Sequence, residues 1–259
     1  MTLGNESAIG HGASRSYWGG KSVERLGIIS GTIALQEKGV LPDPEEKRVE
    51  TEFGSALVLV TAKIAFLPRH GGDPKRHILP HLINHPANMT ALKSLGVREV
   101  IGINSTGSLR LKHKPGTLVV PDDFIMFNPG PTVFSLKPVH ITPTLSKEVR
   151  ERWIGAARAC GLDVVDGGVY WQTTGPRFET KAEIMIMSQA ADLVGMTMAS
   201  EAIVARELDM AYGSLCSVDN YAHGLEDKEL TMEKILWRAR RNAESVVQIV
   251  KSYIERRER

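Results

Sequence analysis

From about residue 25 onward, short apolar runs rich in β-branched residues alternate with longer stretches of helical period, and this alternation limits the fold more than any other feature of the chain. Strands are expected in RLGIIS, ALVLV, KIAFLP, EVIGIN, TLVVP, GGVYWQ, DLVGM and AYGSLCS, and helices over residues 82–96, 146–161, 180–190, 200–209 and 231–257. Strand, helix and strand in succession form the βαβ unit, so the expected class is α/β. Several of the helical stretches end in Gly just past the last periodic residue, as helix C-caps do. The Pro-rich stretch 122–143 has neither period and reads as a long surface or interface loop.

A chain of 259 residues can bury one large core, and a single domain over residues 25–259 is expected. Residues 1–24 are rich in Gly and Ser and lack sustained periodicity, which suggests a flexible N-terminal tail or an arm lying on a neighbour. The tail contains GGKS, a fragment of a phosphate-binding P-loop, but Arg15 stands where that pattern needs its first Gly and no strand precedes it.

Charge and cysteine content exclude several function classes. The net charge is only +2 with both signs interspersed, so no field holds a nucleic-acid backbone, and nucleic acid is not an expected partner. No window is long and apolar enough to span a membrane, and the first residues lack the apolar region of a secretory signal. Cys160 and Cys216 have no paired spacing, which fits a reducing compartment, so a cytoplasmic protein is expected.

The polar residues that follow the strands carry the chemistry. Gly31-Thr32, Arg69-His70-Gly71, Ser105-Thr106-Gly107, Thr197 and Asp219-Asn220 each stand after an expected strand. In open α/β sheets ligands bind beyond the carboxyl ends of strands, so these groups are candidates for one cleft. Thr32, Arg69, His70, Ser105 and Thr197 supply hydroxyls, a guanidinium and an imidazole beside flexible glycines, an inventory suited to phosphate or sulfate. Each hydroxyl also has an ordinary alternative as a helix cap or turn residue.

LPRHG, INHPANMTALKSLGVREVIGINSTGSL, TGPRFETKAEI and DLVGMTMASEAIVARELDMAYGSLCSVDNYA together resemble the trimeric purine nucleoside phosphorylase and methylthioadenosine phosphorylase family, in matching order from about Leu26 to near the C-terminus. The resemblance implies a single-domain, three-layer α/β/α fold around a mixed central sheet, assembled as a homotrimer or as a hexamer of two trimers. It implies phosphorolysis, in which inorganic phosphate as co-substrate attacks the anomeric carbon of a purine nucleoside, and it implies no cofactor and no metal.

Carried over by residue, the phosphate site falls on Thr32, Arg69, His70, Ser105 and Thr197. Met196 matches a methionine against the sugar, and Phe178 an aromatic beside the base. Asn220 and Glu179 match the residues that read the purine edge, and with His70 they form the expected catalytic set. Met232 matches the 5′ pocket, His140 a histidine reaching the 5′ pocket of an adjacent subunit, and His85 a position near the ribose hydroxyls.

Glu179 and Ala222 indicate the base. A carboxylate only accepts hydrogen bonds, so it matches N1–H of a 6-oxopurine and opposes the bare N1 of adenine. Relatives that use 6-aminopurines tend to have Asp at the positions of Asn220 and Ala222 and a small residue in place of Glu179. The alternative for Glu179 is a cap on the following helix.

The expected substrate is therefore 5′-methylthioinosine, inosine or guanosine, with 5′-methylthioadenosine phosphorolysis, nucleoside hydrolysis and silent nucleoside binding as alternatives. A dinucleotide-binding oxidoreductase is disfavoured because GIISGTIAL lacks the spaced glycines of that fingerprint. Ser30, Ile33, His85 and Ser200 depart from the family pattern. His77, His81 and His85 lie four apart, but Pro80 and Pro86 interrupt the helix that would align them as metal ligands.

Overall fold

Among the described residues eleven strands form one mixed sheet, and the longest of them, β5 (Val97–Ser108), organises the rest. The computed structural model describes residues 24–31, 39–73, 75–136, 138–226 and 231–257. Residues 1–23 of the expected tail, with the GGKS fragment, and Thr32, Ile33 and the side chain of Met232 lie outside the described residues.

β1 (Arg25–Ser30) runs parallel to both β4 (Ile64–Pro68) and β5. β2 (Glu45–Thr51), β3 (Gly54–Val60) and β4 form an antiparallel meander on that side. On its other edge β5 runs parallel to β11 (Ala211–Tyr221), which also pairs with β6 (Leu118–Val120), and β6 pairs with β8 (Val165–Asp166). The far end of β5 pairs antiparallel with β10 (Leu193–Gly195), which continues through β9 (Val169–Gln172) to β7 (Asp123–Ile125).

Helices cover both faces, as apolar strands buried on two sides require. α1 (His85–Ser94) and α4 (Met198–Glu207) bury Met89, Leu92, Met198 and Val204 against one face. α2 (Lys147–Ala159) and α5 (Met232–Arg257) bury Val149, Trp153, Ile249 and Tyr253 against the other. α3 (Lys181–Ala190) packs Ile184 and Met187 on Leu109 and Val194, where β5 meets β10. The three-layer α/β/α arrangement expected from the sequence is present, and among the described residues no helix is long and apolar enough to cross a membrane.

β2, β7, β8 and α1 differ from expectation: β7 falls within the stretch 122–143 read as a loop, and β7 and β8, of three and two residues, are too short to carry a strand period. β2 is an edge strand of sequence EEKRVET with no fully buried residue, so it carries no apolar run to mark it. α1 starts three residues later than the periodicity suggests because the Asn84 side chain caps the Ala87 N–H and Pro86 occupies the first turn, where its missing N–H costs nothing.

Candidate active site

The site begins as a gap in the sheet. β1 stops at Ser30, opposite Ile103, and pairing with β10 begins at Gly107, opposite Val194, so among the described residues Asn104, Ser105 and Thr106 of β5 have no strand on that edge. Backbone groups alternate between edges along a strand, so those of Ser105 face the same way as those of Ile103, into the gap. A cavity of about 500 Å³ opens there, within the range of small-molecule sites. It brings together Arg69, His70, Ser105, Thr197, Phe178, Glu179, Met196 and Asn220, eight of the residues singled out in the sequence.

At the anion end Arg69 is almost wholly buried. Its Nη1 donates to the Ile103 carbonyl at 2.8 Å and its Nη2 to the Ile29 carbonyl at 3.1 Å, closing the backbone groups that the diverging strands expose. Nε lies 2.7 Å from Glu201 Oε1, and Tyr212 Oη donates to Glu201 Oε2 at 2.6 Å. Burial pushes the Glu201 carboxyl up, and Arg69 and the Tyr212 hydroxyl oppose that shift. A charge held this way is fixed in direction, which preorganises it for an anion. Gly31 faces the same space: a Cβ there would stand 3.0 Å from the His70 ring and 3.8 Å from Arg69 Nη1, so its absence keeps the gap between them open.

His70 is neutral near pH 7. Burial is the main cause, with the Arg69 charge adding to it, and together they bring its pKa down to about 4. Its Nδ1 lies 2.7 Å from the Ile78 carbonyl, so Nδ1 carries the proton and Nε2 is a lone-pair acceptor. The His70 and His77 rings stack with centroids 4.3 Å apart.

Thr197 occupies the N-cap position of α4, yet its side chain makes no capping bond. Tyr170 Oη accepts from the Thr197 and Met198 N–H groups instead, at 3.2 and 3.4 Å. Asn104 Nδ2 donates to Thr197 Oγ1 at 2.9 Å, and Ser214 Oγ orients Asn104 by donating to its Oδ1 at 2.7 Å. The threonine hydroxyl therefore accepts from behind and keeps its proton for a ligand.

Ser105 differs from the donor role that its sequence position suggested. Its Oγ donates to Asp219 Oδ2 at 2.5 Å, so the hydroxyl proton is taken up inside the protein. The buried, acceptor-only Asp219 next to it is the physical reason.

At the opposite end Glu179 is 7 % exposed, and Thr173 Oγ1 donates to its Oε1 at 2.7 Å. Among the described residues no hydrogen bond engages Oε2. The capping alternative does not hold, because Thr180 caps α3 in a reciprocal capping box with Glu183. Arg177 pins Glu183 through a two-pronged ion pair at 2.8 and 2.7 Å, which fixes the turn carrying Glu179. Asn220 stands at an irregularity in β11 where the register to β5 shifts. Its Nδ2 donates to the Tyr221 carbonyl at 2.8 Å, which fixes the amide orientation and leaves a second N–H and Oδ1. Gly175, at φ +67°, is required: a Cβ there would lie 2.5 Å from Met196 Sδ, so the methionine reaches the cavity wall only beside glycine.

α5 forms another part of the wall, and its described residues there, Ile235, Leu236, Ala239, Ala243, Val246 and Val247, are all apolar. His85 does not line the cavity. It is buried at the start of α1, and burial first, then the Arg69 and His70 charges, lower its pKa to about 3. The reason is helix register: Asn84 caps α1 and turns the next side chain into the core. His140 is exposed on the single chain and is not part of its cavity wall. Ser200 replaces the family's usual Pro with a useful N–H: it donates to Gln172 Oε1 at 3.0 Å while Gln172 Nε2 donates to Ser200 Oγ at 2.6 Å, tying α4 to β9.

The model of the Phosphorylase superfamily matches residues 25–255. The chain belongs to that superfamily. It is 43% identical over 236 residues to a protein of Archaeoglobus fulgidus described as a probable 6-oxopurine nucleoside phosphorylase, covering 89% of this chain and 96% of that one. It is 41% identical over 221 residues to a probable S-methyl-5′-thioinosine phosphorylase of Methanothermobacter thermautotrophicus, covering 81% and 76%. Among solved structures, a methylthioadenosine phosphorylase from an antarctic soil metagenomic library superposes with a TM-score of 0.79 at 28% identity, over 91% of this chain and 86% of that one.

Glu201, Tyr212, Asn104 and Asn242 were not assigned roles from the sequence, and Asp219 stood out only by its place after a strand, although all five orient the groups that were. Their one signal is polarity inside otherwise apolar segments, as in EVIGIN and SEAIVA.

Proposed function

We propose that this chain catalyses phosphorolysis of a 6-oxopurine nucleoside, releasing the free base and a pentose 1-phosphate. The observation that carries the reading is the state of Glu179: a buried carboxylate on the cavity wall with one oxygen engaged by Thr173 and the other open. Such an acceptor matches the N1–H of hypoxanthine or guanine and opposes the lone pair at N1 of adenine, a mismatch costing about 1–3 kcal/mol. The names of the Archaeoglobus and Methanothermobacter relatives agree with this choice.

In the reaction a phosphate oxygen bonds to C1′ while the C1′–N9 bond breaks and its electron pair leaves with the purine. Arg69 and Thr197 hold the anion beneath C1′, a positioning contribution of several kcal/mol. The sugar passes through an oxocarbenium-like state, as in other glycosyl transfers. Negative charge growing on the purine is met by the remaining N–H of the Asn220 amide, whose direction is already set by Tyr221, while Glu179 holds the base in place by accepting from N1–H. No protein nucleophile is required, and inorganic phosphate is the co-substrate.

The α5 wall favours a 5′-methylthio over a 5′-hydroxyl substituent, because a sulfur and methyl group gain from apolar contact where a hydroxyl loses hydrogen bonds. 5′-Methylthioinosine is thus the preferred substrate, ahead of inosine and guanosine. The solved methylthioadenosine phosphorylase supports the methylthio end but not the base, since Glu179 and Ala222 oppose a 6-amino group. Assembly as a trimer fits the apolar segment 126–140, where Phe127 is 81% exposed and Leu136 94% exposed, and it would carry His140 to a neighbour's 5′ pocket.

The test is chromatographic detection of free base from inosine, guanosine, adenosine and their 5′-methylthio analogues, with and without phosphate. Phosphate-dependent release from the 6-oxo members, greatest for 5′-methylthioinosine, is expected. Full-rate release in phosphate-free buffer would make the chain a hydrolase.

A further inference from the structure

The anion end of the cavity presents acceptors as well as donors. Among the described side chains, Arg69 and the Thr197 hydroxyl are donors. The Ser105 hydroxyl is an acceptor toward the ligand, because its own proton is committed to Asp219 Oδ2 at 2.5 Å. Asp219 is 2% exposed and also receives Ser217 Oγ at 2.6 Å and Asn242 Nδ2 at 2.8 Å, both on Oδ1. Burial pushes its pKa up, and these three donors pull against that shift. Three donors with no acceptor form the environment of an ionised carboxylate. His70 Nε2 is a second lone pair, since Nδ1 is the atom that donates to Ile78.

Sulfate and hydrogenphosphate are dianions of similar size, and they differ in one respect that such a site can read. Sulfate has no proton and sets bare oxygens against the Ser105 lone pairs, whereas hydrogenphosphate has one O–H to donate. Building on the phosphorolytic reading above, we propose that Ser105, fixed as an acceptor by Asp219, receives the P–O–H of hydrogenphosphate, and that this pair makes the site discriminate phosphate from sulfate. Asp219 is a positioning residue and Ser105 the residue that touches the anion. Neither role follows from the family resemblance, which treats Ser105 only as one of the groups around phosphate.

Asp219→Asn provides a direct test because it reverses the wiring. Ser217 and Asn242 both donate to the Oδ1 position, so the amide oxygen stays there and the new Nδ2 faces Ser105, donating to it. The Ser105 proton is then released toward the anion. Loss of the negative charge tightens both dianions alike, so the readout is the ratio of sulfate to phosphate dissociation constants. It is measured by titration calorimetry on the whole enzyme and, independently, by sulfate inhibition of base release.

In the parent enzyme sulfate is expected to bind at least about tenfold more weakly than phosphate, the scale of one unpaired acceptor. In Asp219→Asn the ratio should fall by about tenfold. Ser105→Ala, which needs no rewiring and removes the acceptor outright, should also lower it. Equal binding of the two anions by the parent, or a ratio unchanged in both variants, overturns the proposal. Base release that needs no phosphate would instead overturn the phosphorolytic reading, a failure the binding ratio does not share.

Discussion

Arg69 Nε lies 2.7 Å from Glu201 Oε1, with both side chains almost fully shielded from water. The pair is buried beneath the anion end of the cavity and is tied by Tyr212 on one side and the Ile29 and Ile103 carbonyls on the other. Removing one partner of a buried pair leaves an uncompensated charge, which costs about 3–5 kcal/mol. Glu201→Gln is therefore expected to lower unfolding free energy by that order in urea titrations and to raise the KM for phosphate. Tyr212→Phe, which removes one hydrogen bond and leaves the pair, should cost about 1–3 kcal/mol. Equal stability of Glu201→Gln and parent would show that the pair does not hold the guanidinium.

Asn220 acts where charge appears on the leaving base. Removing one preorganised group of this kind typically costs about 10²–10³ in kcat. Asn220→Ala should therefore lower kcat for a 6-oxopurine nucleoside by about that factor while changing KM little. Steady-state kinetics with inosine and 5′-methylthioinosine check this, and an unchanged kcat would remove Asn220 from the mechanism.

Glu179→Gln keeps the shape and replaces an acceptor-only group by one that also donates. Efficiency with inosine should fall about 10-fold to 100-fold, and the preference for inosine over adenosine should narrow, since an amide N–H can meet the adenine N1 lone pair. The check is kcat/KM for both nucleosides in parent and variant. An unaltered ratio would mean that Glu179 does not read the base.

The two neutral histidines make the fold acid-sensitive. His85 titrates at about 3 and His70 at about 4 in the folded chain, both lowered chiefly by burial from an ordinary value of 6.5. Below about pH 6.5 the unfolded chain takes up protons that the folded chain refuses, so stability is lost as the pH falls and is retained above that range. His85→Phe should flatten this acid limb by about 1.4 kcal/mol per pH unit between roughly pH 6 and 4. Urea titrations of parent and variant across that interval measure the difference, and identical slopes would contradict it.

The α/β class and the three layers were legible because eight apolar runs carry the strand signal in the sequence itself. β2 was not legible: its EEKRVET sequence takes its pairing from β3, and no apolar face marks it. At the site, strand-end position located Arg69, His70, Ser105 and Thr197, because the sheet brings such ends together. Hydrogen-bond direction was beyond reach. That Ser105 gives its proton to Asp219 and that Tyr170 relieves Thr197 of capping α4 depend on side chains distant in sequence, and that His85 turns into the core depends on where the Asn84 cap starts α1.

The most direct measurement is a crystal structure of the enzyme with hypoxanthine and phosphate bound. It should place purine N1 within hydrogen-bond distance of Glu179 Oε2, N7 and O6 against the Asn220 amide, and the anion between Arg69 and Thr197. A base bound with Glu179 turned to solvent, or an anion absent from Arg69, would contradict the assignment of this cleft to phosphorolysis of 6-oxopurine nucleosides.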